Sequence, residues 1–169
     1  NDTNTSTDRG ELQKELDQLV DEIDRIAGNT EFNTQNLLGA KNASGAFTGS
    51  GQSFTFHIGA NEGQSLTLTI ESMDSDSMGA IGSGSGTVKS LKTATDASGN
   101  VTGGLLTQSG ADAAITIINN AIETVSAERS KLGAHQNRLE HTINNLSTSS
   151  ENLTAAESRV RDVDYALAA

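Results

Sequence analysis

Between Ser109 and Tyr165 the chain reads SGADAAITIINNAIETVSAERSKLGAHQNRLEHTINNLSTSSENLTAAESRVRDVDY. Taken every seven residues, this stretch gives Ile118, Val125, Leu132, Leu139, Leu146, Leu153 and Val160. The position three residues earlier is mixed: Ile115, Ile122, Arg129, Gln136, Ile143, Ser150 and Glu157. A repeat of seven is close to two helical turns, so it keeps a narrow apolar stripe on one face. The chain has no proline, and Gly133 is the only glycine between Ala111 and Tyr165. Nothing there forces a kink. The spacing predicts one continuous helix over 109–165, about 80 Å long, whose stripe needs a cover. Ser109 with Asp112 three residues on is its expected capping box.

A second helix is expected over 8–27. Leu12, Leu16, Leu19, Ile23 and Ile26 fall at alternating four- and three-residue steps, the same pattern as the long stretch. Asp8 with Glu11 is the expected capping box, and Gly28 the expected terminator. The outer face is acidic, with Glu15, Asp17, Asp21, Glu22 and Asp24; Asp21 is spaced to pair with Arg25. Such a face most simply reads as solvated surface.

Residues 29–52 are rich in Asn, Gly, Ser and Thr and read as an irregular connector pinned by Phe32, Leu37, Leu38 and Phe47. Strict alternation follows. Phe54, Phe56 and Ile58 share one face, and Leu66, Leu68 and Ile70 share another across a turn at 59–64. This predicts a β-hairpin over 53–71 whose apolar face lies on the helices, with Met73, Met78 and Ile81 extending the packing. Residues 83–108 are Gly-, Ser- and Thr-rich, with a weak apolar beat at Val88, Leu91 and Val101, and read as a loosely folded linker.

Together these elements predict an α+β, mainly α chain, one domain over 1–169. The expected architecture is an elongated antiparallel coiled-coil-like rod, one long C-terminal helix and one shorter N-terminal helix, with a packed hairpin. A 20-residue helix covers at most about 30 Å, so much of the long stripe is left for another helix or subunit. Arg129, Gln136 and Glu157 within the seam weaken it but fix register.

Composition narrows the function. The formal net charge is −11, which argues against nucleic acid or an anionic membrane as partners. There is no cysteine, so neither disulfides nor thiolate metal sites are available. No run of about 20 apolar residues or secretory signal occurs. His135 and His141 are six apart and turn away from each other; His57 is the third histidine. The helical zinc-protease signature, a calcium loop, and the phosphate-binding and nucleophile-elbow glycine motifs are all missing. Carboxylates on an open helix face are solvated, whereas acid–base chemistry needs a desolvated cleft. The reading is a non-enzymatic chain without metal or cofactor.

The run Arg129–Leu146, with RSKLGAHQNRLEHTINNL, and the run Glu151–Tyr165, with ENLTAAESRVRDVDY, closely resemble the C-terminal D1 helix of bacterial flagellin. Glu22–Ala27 followed by Thr30–Asn33 resembles the second N-terminal D1 helix and its connector, and Phe56–Asn61 resembles the D1 hairpin. The four segments occur in the family's order. The resemblance implies a secreted, extracellular subunit that packs with other flagellin subunits into the filament that drives swimming. It implies a D1 core without the D0 terminal segments or the first N-terminal D1 helix, with 82–108 where many flagellins insert outer domains. It also implies recognition by Toll-like receptor 5, at positions here occupied by Leu12, Glu15, Gln136, Arg138 and Leu139, and a flagellar export chaperone as a further partner. The alternative is a secreted or surface coiled-coil interaction module, such as an adhesin, with no filament role. Filament formation separates the two.

Overall fold

The computed structural model describes residues 3–59, 62–79, 86–95 and 97–167, with side chains up to Arg161. The expected Ile81 contact and the tip of the hairpin turn lie outside the described residues. In chain order the elements are α1 (Ser6–Asn29), β1 (Glu31–Phe32), β2 (Gln35–Asn36), β3 (Gln52–His57), β4 (Ser65–Ile70), a 3-10 turn (Val88–Leu91), β5 (Ala94–Thr95), β6 (Val101–Thr102) and α2 (Gln108–Leu167). The chain divides into two compact units, residues 1–53 with 69–129 and residues 54–68 with 130–169. The α+β, mainly helical expectation holds.

Local chemistry moves the helix ends. Thr5, not Asp8, caps α1: the Asp8 amide donates to the Thr5 hydroxyl at 3.3 Å, and the Asp8 carboxylate accepts from the Thr5 amide at 3.0 Å. Asp8 is therefore the reciprocal partner of a capping box, a role open to any acceptor three residues after the cap. At the other end the helix runs past Gly28 to Asn29, and the Thr30 amide and hydroxyl both donate to the Ile26 carbonyl. The expected Asp21–Arg25 pair is replaced. Arg25 binds Glu22 instead, at 2.5 Å, and Asp21 pairs with Lys92. Likewise α2 starts at Gln108 rather than Ser109, because the Thr107 hydroxyl accepts from the Gly110 amide at 3.0 Å.

The core of the first unit consists of Val20, Met73, Met78, Val88, Leu91, Ala114, Ile117 and Ala121, with Leu16, Ile23, Leu38 and Leu105 at its margin. Two expectations are corrected here. Within the expected linker 83–108, the described segment around Val88 and Leu91 is packed rather than loose, because both are core residues. And α1 and the opening of α2 do not run antiparallel. Gln13 near the start of α1 bonds Leu105, just ahead of α2. Farther along, Asp24 bonds Ser75, and Asn120 bonds Gly79. At the far end of α1, Asn36 bonds Ala27, Met73 bonds Leu38, and Glu128 bonds Glu71. The order rises together on both helices. The reason is the route of the chain: after α1 it returns to that helix's N-terminal end before α2 begins.

Gly79 allows this packing. Its φ of +91° suits glycine, and a Cβ there would stand 2.8 Å from Ile117 Cγ2.

The connector is more ordered than expected. β1 and β2 pair through Glu31↔Asn36 and Phe32↔Gln35, joined by Asn33 and Thr34 at φ 51° and 63°. Two positive φ values define the tight turn that favours Asn-Gly. Asn33 fits, whereas the β-branched Thr34 is strained. Phe32, expected as an anchor, is 73% exposed, whereas Phe47 is half-buried under Lys41 Nζ, 5.3 Å from its ring centroid. Thr34→Gly should stabilise the chain by about 1 kcal/mol, read as a higher midpoint in urea unfolding; an unchanged or lower midpoint counts against strain there.

β3 and β4 form the expected hairpin. Ser53 faces Thr69 and Thr55 faces Thr67, each hydroxyl pair 3.3 Å apart. Along β4 the alternation is clean, with Leu66 and Ile70 buried and Thr67 and Thr69 exposed. Its partner β3 is less covered, and Phe56 is 41% exposed.

Candidate assembly surface

The two helical stripes read from the sequence are only partly used within the chain. On α1 the buried line is Gln13, Val20 and Ala27, flanked by half-buried Leu16 and Ile23. The neighbouring line, Leu12, Leu19 and Ile26, stays exposed at 43%, 57% and 48%. On α2 the inward face is Ala114, Ile117, Ala121 and Glu128. Small alanines there let the segment around Met78–Gly79 come close. The predicted seam is turned outward: Ile115, Ile118, Ile122 and Val125 are all exposed, Ile115 and Ile122 by 60% and 58%.

Of these leftover aliphatics, Leu19, Ile118, Ile122 and Val125 meet in one groove of the first unit. α1 contributes Leu16, Leu19 and Ile23 to one wall, and α2 contributes Ile118, Ile122 and Val125 to the other; Val20, Met78, Val88 and Leu91 form the floor. Its volume is 340 Å³ and its lining is wholly aliphatic apart from methionine sulfur. In the second unit the seam is also uncovered. Leu132 and Leu139 are half-buried, while Ile143, Leu146, Leu153 and Val160 are exposed, Leu153 by 70%. A shallow depression beside Leu146 and Leu153 is closed on its other side by Ile58, Gly63 and Gln64 of the hairpin. Contiguous exposed aliphatics of this kind mark association surfaces.

The rest of the groove's frame is polar and well satisfied. Gln13 is 2% exposed and makes three bonds of 2.8 Å. Its Nε2 donates to the Leu91 carbonyl and to Asp17, and its Oε1 accepts from the Leu105 amide. Asp24 accepts from the amide and hydroxyl of Ser75 at 2.7 and 2.8 Å, and buried Asp74 accepts from the Ser72 hydroxyl at 2.5 Å. Burial works against the charge on Asp17, but hydrogen bonds from Thr93 and Gln13, with Lys92 nearby, outweigh it and hold its carboxyl below the usual range. A lowered folded-state value means stability present above the unfolded value and lost as pH falls through the folded one. The wild-type melting temperature should therefore drop on acidification below about pH 4, and Asp17→Asn should drop less; parallel curves for the two would remove Asp17 from the account.

The five positions implied by resemblance fall in both units. Leu12 and Glu15 lie on the exposed side of α1 in the first unit; Gln136 and Arg138 are exposed and Leu139 half-buried on α2 in the second. Gln13, the residue that sequence reasoning missed, sits beside Leu12 but on the buried line. Among the described residues no group of three His, Asp or Glu is placed to hold a metal ion, and no helix is long and apolar enough to cross a membrane.

Comparison with known proteins fits this geometry. The bacterial flagellin N-terminal helical region matches residues 1–43, and the bacterial flagellin C-terminal helical region matches residues 115–169. A flagellin of Clostridium tyrobutyricum is 40% identical over 251 aligned positions, covering 98% of this chain and 67% of that protein. The chain belongs to the flagellin family. The flagellin of Bacillus subtilis is 44% identical over 167 residues, covering 95% of this chain and 54% of its own length. The flagellar filament 30.7 kDa core protein of Treponema maltophilum is 38% identical over 162 residues, covering 94% and 51%. The chain thus spans about half the length of several flagellins it matches. The Clostridium alignment is longer than the chain's 169 residues, so that flagellin carries residues with no counterpart here. The exposed lines of α1 and α2 fall largely within the two matched regions.

Proposed function

We propose that this flagellin chain is the assembling part of a flagellar filament subunit, working outside the cell in a structure built for swimming. The observation that carries the reading is the outward-turned seam: Leu12, Leu19 and Ile26 on α1 and Ile115, Ile118, Ile122 and Val125 on α2 remain exposed. Leaving so many aliphatics in water is unfavourable, and covering them with helices of flagellin polypeptide removes that cost. A coiled-coil cover suits the seven-residue spacing. Family membership supports the reading, as does the printed description of the Treponema relative as a filament core protein.

In this reading the receptor-facing positions Leu12, Glu15, Gln136, Arg138 and Leu139 engage Toll-like receptor 5, and a flagellar export chaperone handles the chain before assembly. The support is the resemblance together with the exposure of four of the five side chains. Filament formation is tested by grafting. This chain replaces the matching segments of the Bacillus subtilis flagellin, and the cells are scored for filaments by electron microscopy and for swimming. Filaments are expected; a soluble, folded chimera that never polymerises would overturn the reading.

A further inference from the structure

Residues 40–50 form a short antiparallel ladder. The Ala40 amide donates to the Ser50 carbonyl, the Thr48 amide donates to the Ala40 carbonyl, Lys41 bridges Phe47, and the Asn42 amide donates to the Ala46 carbonyl at 2.9 Å. The ladder is moored to α1: Lys41 Nζ donates to the Gly28 carbonyl at 2.7 Å and lies over the Phe47 ring. The turn at its tip reads Asn42-Ala43-Ser44, the N-x-[ST] pattern of an asparagine glycosylation acceptor. Gly45 completes the turn at φ +82°, and every residue from 42 to 46 is exposed.

The pattern is short and common, so its setting decides. It also begins at Asn1, Asn4, Asn100, Asn145 and Asn152. Asn1 lies outside the described residues. Asn4 runs straight into α1, with Thr5 as the capping residue and Ser6 the first residue of the helix. Asn145 and Asn152 lie inside α2, where the residue two ahead projects from a different side of the helix. There the Thr154 hydroxyl is taken by the Ser150 carbonyl. In the Asn100 pattern the Thr102 hydroxyl donates to the Ala94 carbonyl.

At Asn42 the hydroxyl instead meets the side-chain amide. Ser44 Oγ donates to Asn42 Oδ1 at 2.6 Å, and the Ser44 and Ala46 backbone amides donate to the same oxygen at 3.0 Å each. The Nδ2 end donates to no described group. An amide nitrogen is a poor nucleophile, because its lone pair is shared with the carbonyl. When Nδ2 gives up a proton the charge collects on Oδ1, where three donors already aimed at that oxygen stabilise it.

We propose that Asn42 is an N-linked glycosylation site, its Nδ2 accepting a sugar from a glycosyl diphosphate donor on a transferase that reads the acceptor pattern. Nδ2 attacks the anomeric carbon. The N–C bond forms, the C–O bond to the diphosphate breaks with its electron pair leaving on the phosphate oxygen, and the Nδ2 proton passes to a base of the transferase. The donor diphosphate carries either a nucleoside or a polyprenyl chain. Asn42 belongs to none of the exposed aliphatic lines, so the site goes beyond the assembly reading and stands or falls separately from it.

The test is mass spectrometry of the flagellin taken from the cells that make it, with electron-transfer fragmentation of the peptide that holds 42–44. A sugar-sized mass on Asn42 is expected. An unmodified peptide, a sugar on a neighbouring hydroxyl, or a sugar on Asn145 or Asn152 in its place would each overturn the site. Variants made in the same cells sharpen it, with circular dichroism as the folding control. Asn42→Asp keeps an acceptor oxygen at the turn but has no amide nitrogen, so it should fold as wild type and lose the sugar completely. Ser44→Ala should lose it as well, and Ser44→Thr should keep it. A sugar that persists in Asn42→Asp or in Ser44→Ala contradicts the chemistry. Unmodified 169-residue chain offered to soluble extract with added nucleotide sugar, or to washed membranes, identifies the donor. Transfer in the extract marks the nucleoside diphosphate, transfer in the membranes marks the polyprenyl one, and either supports Asn42 as acceptor.

Discussion

Gln13→Leu is expected to lower the unfolding free energy by about 2–3 kcal/mol, although leucine is the more hydrophobic residue and the site is 2% exposed. The side-chain amide ties two other pieces of chain to α1 at that point. Its Nε2 donates to the Leu91 carbonyl, at the end of the 3-10 turn, and to Asp17 on the next turn of helix. Its Oε1 accepts from the amide of Leu105, just before α2. Leucine takes away the acceptor for Leu105 in a place water reaches poorly. The Leu91 carbonyl fares better, since the Gly104 amide also donates to it at 2.9 Å. Space is tight as well: a Cβ on Gly103 would approach the Gln13 side-chain carbon to 2.7 Å, so branched leucine has little room to shift. Gln13→Glu sharpens the test. It keeps the acceptor, loses the donors and sets a second carboxylate beside Asp17. Burial and that neighbour raise the new acid's folded-state value, so its deficit relative to wild type should shrink as pH falls. Urea unfolding across pH reads both effects; a neutral Gln13→Leu would show that the amide is dispensable.

The other large effect concerns assembly. Ile115→Asp with Ile122→Asp should leave the free chain folded and abolish filaments in the grafted flagellin. Both side chains are more than half exposed, 60% and 58%, so the folded monomer loses little when they become polar. In an assembled state each aliphatic would gain about 2 kcal/mol on full burial, and an aspartate in its place must be buried without a partner. The penalty recurs at every subunit. Electron microscopy with a thermal melt of the free chain separates the two consequences. Filaments of normal appearance from the double variant would mean the seam is not covered on assembly.

How much of this was legible in the sequence follows from which forces are local. The two helices, the hairpin and the surplus of apolar stripe follow from periodicity, because side-chain direction repeats with the backbone. Which side of a wide stripe faces inward does not. Leu16 and Ile23 pack, whereas Leu12, Leu19 and Ile26 do not, and the deciding partners, Met78, Val88 and Leu91, lie more than 50 residues away in sequence. Gln13 was invisible for the same reason: a glutamine on a heptad line reads as surface until Leu91 and Leu105 arrive from elsewhere. The same-sense course of α1 and α2 depends on the route taken by 29–107, where only the hairpin carries a strong periodic signal. Asp8 was the expected cap, and only the reciprocal bonds reveal that Thr5 caps and Asp8 answers it. The positions Leu12, Glu15, Gln136, Arg138 and Leu139 were suggested by family resemblance alone; no spacing rule marks them.

The most direct measurement of the central claim uses the absence of cysteine from this chain. Ile122→Cys places one thiol on the outward seam, and its rate of labelling by a water-soluble maleimide is compared in the free chain and in filaments of the grafted flagellin. The account predicts rapid labelling of the free chain and strong protection in the filament. Equal labelling rates in both states would contradict it.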